Sequence, residues 1–119
     1  MIEIKILEPV PSLNITKKEH WSKGMKRRKT CENQIALALL EKYTYKERQK
    51  ALERVPRAVK IHSQRARLLD KDNMWGGGKN LLDAIRRVGL IIDDDDKWLL
   101  SLEYTQSTGK PHFTRITIQ

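Results

Sequence analysis

The sequence predicts an α+β fold: a single small domain in which a mixed β-sheet packs against helices. Three observations predict it. Short alternating segments read as strands at both ends and in the middle of the chain, two apolar-striped segments read as helices, and they do not follow one another as a regular βαβ series. At 119 residues the chain supports one core and one domain.

Residues 2–7 alternate, with Ile2, Ile4 and Ile6 on one face, and read as the first strand. Pro9, Pro11 and Asn14 end it. Residues 17–29 carry no periodic apolar face and read as a loop. Thr30 then caps a helix to about Tyr43, with Ile35, Leu39 and Leu40 facing the core. Thr44 and Glu47 have capping-box spacing, which starts a second helix running to about Arg54. Pro56 stops it, because the residue before proline avoids helical backbone.

Residues 57–65 alternate again, with Val59 and Ile61 inward. The next helix spans about 79–88, with Leu81, Leu82, Ile85 and Val88 as its stripe and Gly89 as its C-terminal stop. Residues 97–105 read as a strand with Trp98, Leu100, Leu102 and Tyr104 on one face. A polar turn around Gly109 leads to a last strand near 112–118, and this final pair reads as an antiparallel hairpin.

Charge narrows the function classes. The formal net charge is +9, which points to a polyanionic partner. The basic residues cluster: Lys17, Lys18, Lys23, Lys26, Arg27, Arg28 and Lys29 fall within thirteen positions. The acids concentrate instead between Asp70 and Asp96. A basic protein with one acidic cluster suits metal-dependent chemistry on nucleic acid. The positive surface binds phosphates, and the carboxylates collect divalent cations between protein and polyanion.

No run is apolar enough to cross a membrane, and the N-terminus lacks the layout of a secretion signal, so a cytoplasmic location is expected. The single cysteine, Cys31, has no partner for an internal disulfide and reads as a half-buried spectator. His20, His62 and His112 are scattered and read as surface or sheet residues.

Asp70 and Asp72 follow a strand and stand two apart, which in extended backbone puts both carboxylates on one side. Such a pair shares a hard cation such as Mg²⁺, with an aspartate of the run Asp93–Asp96 folding back beside it. Taken alone, an Asp-x-Asp pair reads as a capping turn, and four aspartates read equally as a solvated loop. Together, in a chain this basic, they read as a metal site, since crowded carboxylates without a cation repel one another. Asp83 stands four residues from both Lys79 and Arg87 and reads as an intrahelical ion pair.

Two motif look-alikes fail. Gly78-Lys79 lacks the upstream glycine and the following Ser or Thr of a Walker loop. An EF-hand starting at Asp70 would place Met74, Trp75 and Leu81 where it needs an Asp or Asn, a Gly and a Glu. The run Asp93-Asp94-Asp95-Asp96-Lys97 also spells a protease-cleavage tag, a coincidence in a segment that joins two core elements.

Asp70-x-Asp72-Asn73-Met74, Lys79, Asp83, Gly89 and Asp93-Asp94 follow one another in the order and approximate spacing of a known pattern. With Pro11-Ser12-Leu13-Asn14 and the basic stretch after it, the chain resembles the RusA family of Holliday junction resolvases over essentially its whole length. The resemblance implies a RusA-like fold and a Mg²⁺-dependent homodimer, with Mn²⁺ as a substitute metal, that cuts four-way DNA junctions by paired nicks. It implies that Asp70, Asp72 and Asp94 hold the metal and that Lys79 is catalytic. The spacer before Lys79 is of the longer kind and carries three glycines. Asp95 and Asp96 extend the acidic pair, which leaves Asp93 or Asp95 as alternatives for the third ligand.

Lys26, Arg27, Arg28, Lys29, Arg65 and Arg67 are the expected DNA contacts, the last two against flanking phosphates. A dimer fits a two-fold substrate, and among Trp21, Trp75 and Trp98 some are expected to line its interface. Two other classes stay open. One is a different metal-dependent DNA nuclease, for which Asp95-Asp96-Lys97 has the Asp-x-Lys form. The other is a non-catalytic basic DNA-binding module.

Overall fold

Strand alternation places isoleucines and valines on one face of a four-stranded sheet, and that face is the floor of the core. The structure, a computed structural model, describes residues 1–7 and 21–119. The strands are β1 (Ile2–Ile6), β2 (Arg57–Arg65), β3 (Leu99–Thr108) and β4 (Phe113–Ile118). The helices are α1 (Trp21–Lys42), α2 (Tyr45–Ala51), α3 (Lys71–Gly77) and α4 (Lys79–Val88). The α+β class expected from the sequence is the class observed.

The sheet order is β1-β4-β2-β3, with β2 and β3 parallel and the other neighbours antiparallel. Ile116 faces Ile4 across one ladder and Ile61 across the other, and Ile118 faces Ile2 and Val59. Ile35 and Leu39 of α1 and Leu81 and Ile85 of α4 close this layer from above, with Leu90 and Ile91 filling its end. Among the described residues no helix is long and apolar enough to cross a membrane.

The expected hairpin of the last two strands does not form: β4 lies between β1 and β2, and β3 lies on the sheet's edge. Burial explains the choice. Thr114, Ile116 and Ile118 are all buried, so β4 gains most from two neighbours, whereas β3 is only half-buried along its inner face. β3 also departs from the simple alternation. Arg57 pairs with Leu99 but Ala58 pairs with Ser101, so Leu100 is an extra residue at a β-bulge and stands out in solvent. Leu102 and Tyr104 keep the inward positions.

Three helix expectations are corrected. The helix expected from Thr30 begins at least nine residues earlier, at Trp21, so residues 21–29 of the supposed loop are helical. Thr30 does not cap; its hydroxyl donates back to the Lys26 carbonyl at 2.9 Å. Straight-chain Lys and Arg are good helix formers, and this half of α1 is held to α4 by charge rather than by an apolar stripe. Arg28 bonds Asp83 at 3.2 Å, and Glu32 takes Arg87 at 3.6 Å. Leu40, expected inward, is exposed.

The capping box at Thr44 forms as read, with Glu47, but α2 ends at Ala51 rather than near Arg54. The third correction is α3, which the apolar pattern did not show because only Met74 anchors its seven residues in the core. Gly89 does end α4, in left-handed backbone at φ 100°. The Pro11-Ser12-Leu13-Asn14 segment, His20, Lys17 and Lys18 lie outside the described residues.

Candidate active site

The parallel β2–β3 pair requires a crossover, and α3 with α4 supplies it. Where α3, α4, the 93–98 turn and β3 meet, they enclose a cleft of about 690 Å³. Its charged lining residues are Asp72, Lys79, Asp83, Arg86 and Asp94. Trp75, Leu82, Leu102 and Tyr104 line it as well.

Asp70 and Asp72 do not sit side by side in extended backbone. Asp70 is the N-cap of α3 and Asp72 lies in its first turn. Successive helical residues turn by about 100°, so a spacing of two points the side chains apart. Asp70 Oδ1 accepts from the Asn73 amide at 2.9 Å, and Oδ2 accepts from the Asn73 side-chain amide at 2.9 Å. The capping role that an Asp-x-Asp pair has on its own is therefore the one Asp70 fills. Asp72 is the member that faces the cleft. The Asp70-x-x-Asn73 cap is the signal that marks α3 in the sequence.

The aspartate run divides the same way. Asp95 Oδ1 accepts from the backbone amides of Lys97 and Trp98, each at 3.1 Å, which closes the turn into β3. That bond set makes Asp95 of the Asp95-Asp96-Lys97 tripeptide a turn former. Asp93 Oδ1 accepts from the Asp94 amide at 2.8 Å. Asp94 alone of the run lines the cleft, and neither its carboxylate nor that of Asp72 has a hydrogen bond or ion pair among the described residues. The Lys79 ammonium is likewise unpaired there.

Asp83 is ion-paired, as expected, but with other partners: Arg86 at 2.9 Å and Arg28 of α1 at 3.2 Å. Burial raises the Asp83 carboxyl, and the hydrogen bonds and charges of the two arginines outweigh it, leaving Asp83 below the usual carboxylate range. The bond to Asp83 raises Arg86, and the charges of Asp93 and Asp94 add to it. Arg28 thus reaches the rim of the cleft through Asp83. Lys26 and Lys29 are exposed on α1, and Arg27 is half-buried. Arg65 ends β2 and Arg67 follows it, both away from the cleft lining, and the Arg65 Nε donates to the Arg67 carbonyl at 3.0 Å.

His62 lies on the outer face of the sheet between the Thr105 and Ser107 hydroxyls, at 2.7 and 2.9 Å. Burial lowers its pKa, and the Arg115 charge lowers it further.

Trp75, Tyr104 and Arg86 are the cleft residues that the sequence reading did not place at the site. The Trp75 ring packs edge-on against Tyr104 with centroids 4.7 Å apart. Burial pushes the Tyr104 phenol up to about 12, so it stays a hydrogen-bond donor across the working range of pH. Tyr104 also explains one glycine of the spacer. A Cβ on Gly78 would stand 2.4 Å from the Tyr104 Oη and 2.5 Å from a ring carbon. Gly78→Ala is therefore expected to lower stability by about 1–3 kcal/mol, the usual cost of overpacking. Thermal denaturation checks it, and in a Tyr104→Ala background the same change should cost less. An unchanged melting temperature for Gly78→Ala would show that Tyr104 moves aside freely.

Among the described residues no three acidic, imidazole or thiol side chains converge as a metal-holding group. The donor chemistry still fits a hydrated hard cation. Mg²⁺ keeps several waters and is held by one or two carboxylates, and Asp72 and Asp94 both line one cleft. No protein-family model and no curated protein matches the chain.

Proposed function

We propose that the chain is a divalent-metal-dependent DNA endonuclease that acts on branched DNA, resolving four-way junctions by paired nicks as RusA-type resolvases do. The observation that carries this reading is one cleft lined by two carboxylates, Asp72 and Asp94, and one ammonium, Lys79, none with a hydrogen bond or ion pair among the described residues, in a chain of net charge +9.

Asp72 and Asp94 would hold Mg²⁺, or Mn²⁺ in its place. The ion, when bound, supplies an activated water and positive charge at the scissile phosphate. Lys79 places a further positive charge where negative charge develops on the phosphate oxygens. Arg86, held at its guanidinium by Asp83, lines the same cleft and is coupled by charge to Asp94. Asp70 fixes the start of α3 and thereby the direction of Asp72. A homodimer, with one such cleft per subunit, would present two cuts related by the two-fold symmetry of a junction.

The test is incubation of the purified protein with a synthetic mobile four-way junction and with a linear duplex of the same sequence, with Mg²⁺ and with EDTA. Paired Mg²⁺-dependent nicks in opposed strands of the junction are expected. Cutting of the duplex at the same rate would point to a metal-dependent nuclease of another kind. Tight binding without cutting would point to a non-catalytic DNA-binding module, the reading favoured by the lack of three converging metal donors among the described residues.

The basic half of α1 is the proposed phosphate surface. Replacing Lys26, Arg27, Arg28 and Lys29 with alanine should flatten the dependence of log affinity on log salt by up to about 3–4 units, roughly 0.9 for each phosphate that is no longer neutralised. An unchanged slope would place the DNA surface elsewhere.

A further inference from the structure

We infer that the cleft receives one unstacked nucleotide of the DNA strand, its base against Trp75 and Tyr104 and its phosphate toward Lys79. This rests on the proposed nuclease reading and names the part of the substrate that the site holds.

A site that met only a phosphate and a hydrated cation would need polar walls. This cleft adds Trp75, Leu82, Leu102 and Tyr104 to its charged lining. Trp75 is 37% exposed, an unusual position for so large an aromatic ring in a small domain. Tyr104 packs against it with ring centroids 4.7 Å apart, so the ring is held in place although part of it is open. Tyr104 itself is half-buried, and its hydroxyl has no hydrogen-bond partner among the described residues. Gly76 and Gly78 flank these two rings, and Gly78 has no room for a side chain beside Tyr104.

These features describe the two ends of a nucleotide. A base offers a π-face to an aromatic ring and donors and acceptors along its edge. The Trp75 ring matches the first and the Tyr104 hydroxyl the second. The phosphate attached to that base would lie toward Lys79, which lines the same cleft from the start of α4. The cleft volume, about 690 Å³, falls within the range of about 300–1,000 Å³ typical of sites for molecules of nucleotide size. A base inside an intact duplex has its faces stacked and is closed to such contact, so the strand must present an unstacked residue, as branch points do more readily than linear duplex.

The test compares binding of single-stranded oligothymidylate eight residues long with binding of an abasic strand of the same length and charge, in EDTA so that no cutting occurs. Wild-type protein should bind the thymidylate strand about 5- to 150-fold more tightly, the range for one stacked base. Trp75→Leu should remove that preference while leaving affinity for the abasic strand within about twofold, and Trp75→Phe should keep most of it. Equal affinity of wild-type protein for the two strands would overturn the inference, and this arm needs no variant to fold. An equal loss for both strands in Trp75→Leu would overturn it as well. A protein that shows the preference but never cuts a junction would sink the nuclease reading and leave the nucleotide site standing.

Discussion

Asp72→Asn is expected to lower Mg²⁺-dependent junction cleavage by about three orders of magnitude. A bound metal supplies several kcal/mol of charge stabilisation, and each 1.36 kcal/mol is tenfold in rate. Asparagine keeps the size of the side chain and removes the negative charge that faces the cleft. Junction affinity in EDTA should hold or rise, because a carboxylate that repelled phosphate is gone. Asp94→Asn should behave alike, since Asp94 is the member of its run whose carboxylate is left unpaired toward the cleft. Single-turnover cleavage beside a binding titration checks both, and near wild-type cutting by either variant would remove that residue from the site.

Asp70→Asn separates two roles of one residue. Asparagine caps a helix about as well as aspartate, so α3 should survive the change. Near wild-type cutting at an unchanged melting temperature is the expected result, because Asp70 accepts from Asn73 and does not line the cleft; loss of cutting would assign the Asp70 charge to the metal. Unchanged cutting would leave Asp70 a helix cap and Asp72 with Asp94 as the holders of the cation.

Lys79→Ala carries the second large effect. Its single-turnover rate at saturating junction should fall by about two to three orders of magnitude, the size of removing one preorganised contact to developing charge. Affinity should change far less, because many other cations still hold the phosphates. Lys79 has no ion pair among the described residues, so its removal strands no partner and should leave thermal stability nearly intact. A fall in affinity with no fall in the saturated rate would make Lys79 a phosphate anchor.

Periodicity reads what is local, and it read β1, β2 and α4 well. Ile2, Ile4 and Ile6 are buried as their alternation requires, as are Val59 and Ile61. Leu81 and Ile85 face the core from α4, and Gly89 ends that helix in the backbone that glycine favours. Thr44 and Glu47 form their capping box four residues after Leu40, which the same kind of reasoning placed on the wrong side of its helix. The difference is physical. A cap is completed within four residues, whereas the inward face of a helix depends on which surface meets it.

The fold class, the strand faces and the two stretches of aspartate that supply the cleft follow from side-chain spacing and charge within short windows, so they were legible in the chain alone. Packing decided which acids face one another and which elements lie side by side. Asp70 turned to its own helix and Asp95 to its own turn, which left Asp72 and Asp94 for the cleft. The basic half of α1 became helix against α4 through Arg28 with Asp83 and Arg87 with Glu32, pairs separated by some 55 residues in the chain. β4 took the middle of the sheet because three buried side chains need neighbours on both edges. Trp75 met Tyr104 across the α3–β3 junction for the same reason: contacts between distant residues are selected by the packing of the whole chain, and no local spacing records them.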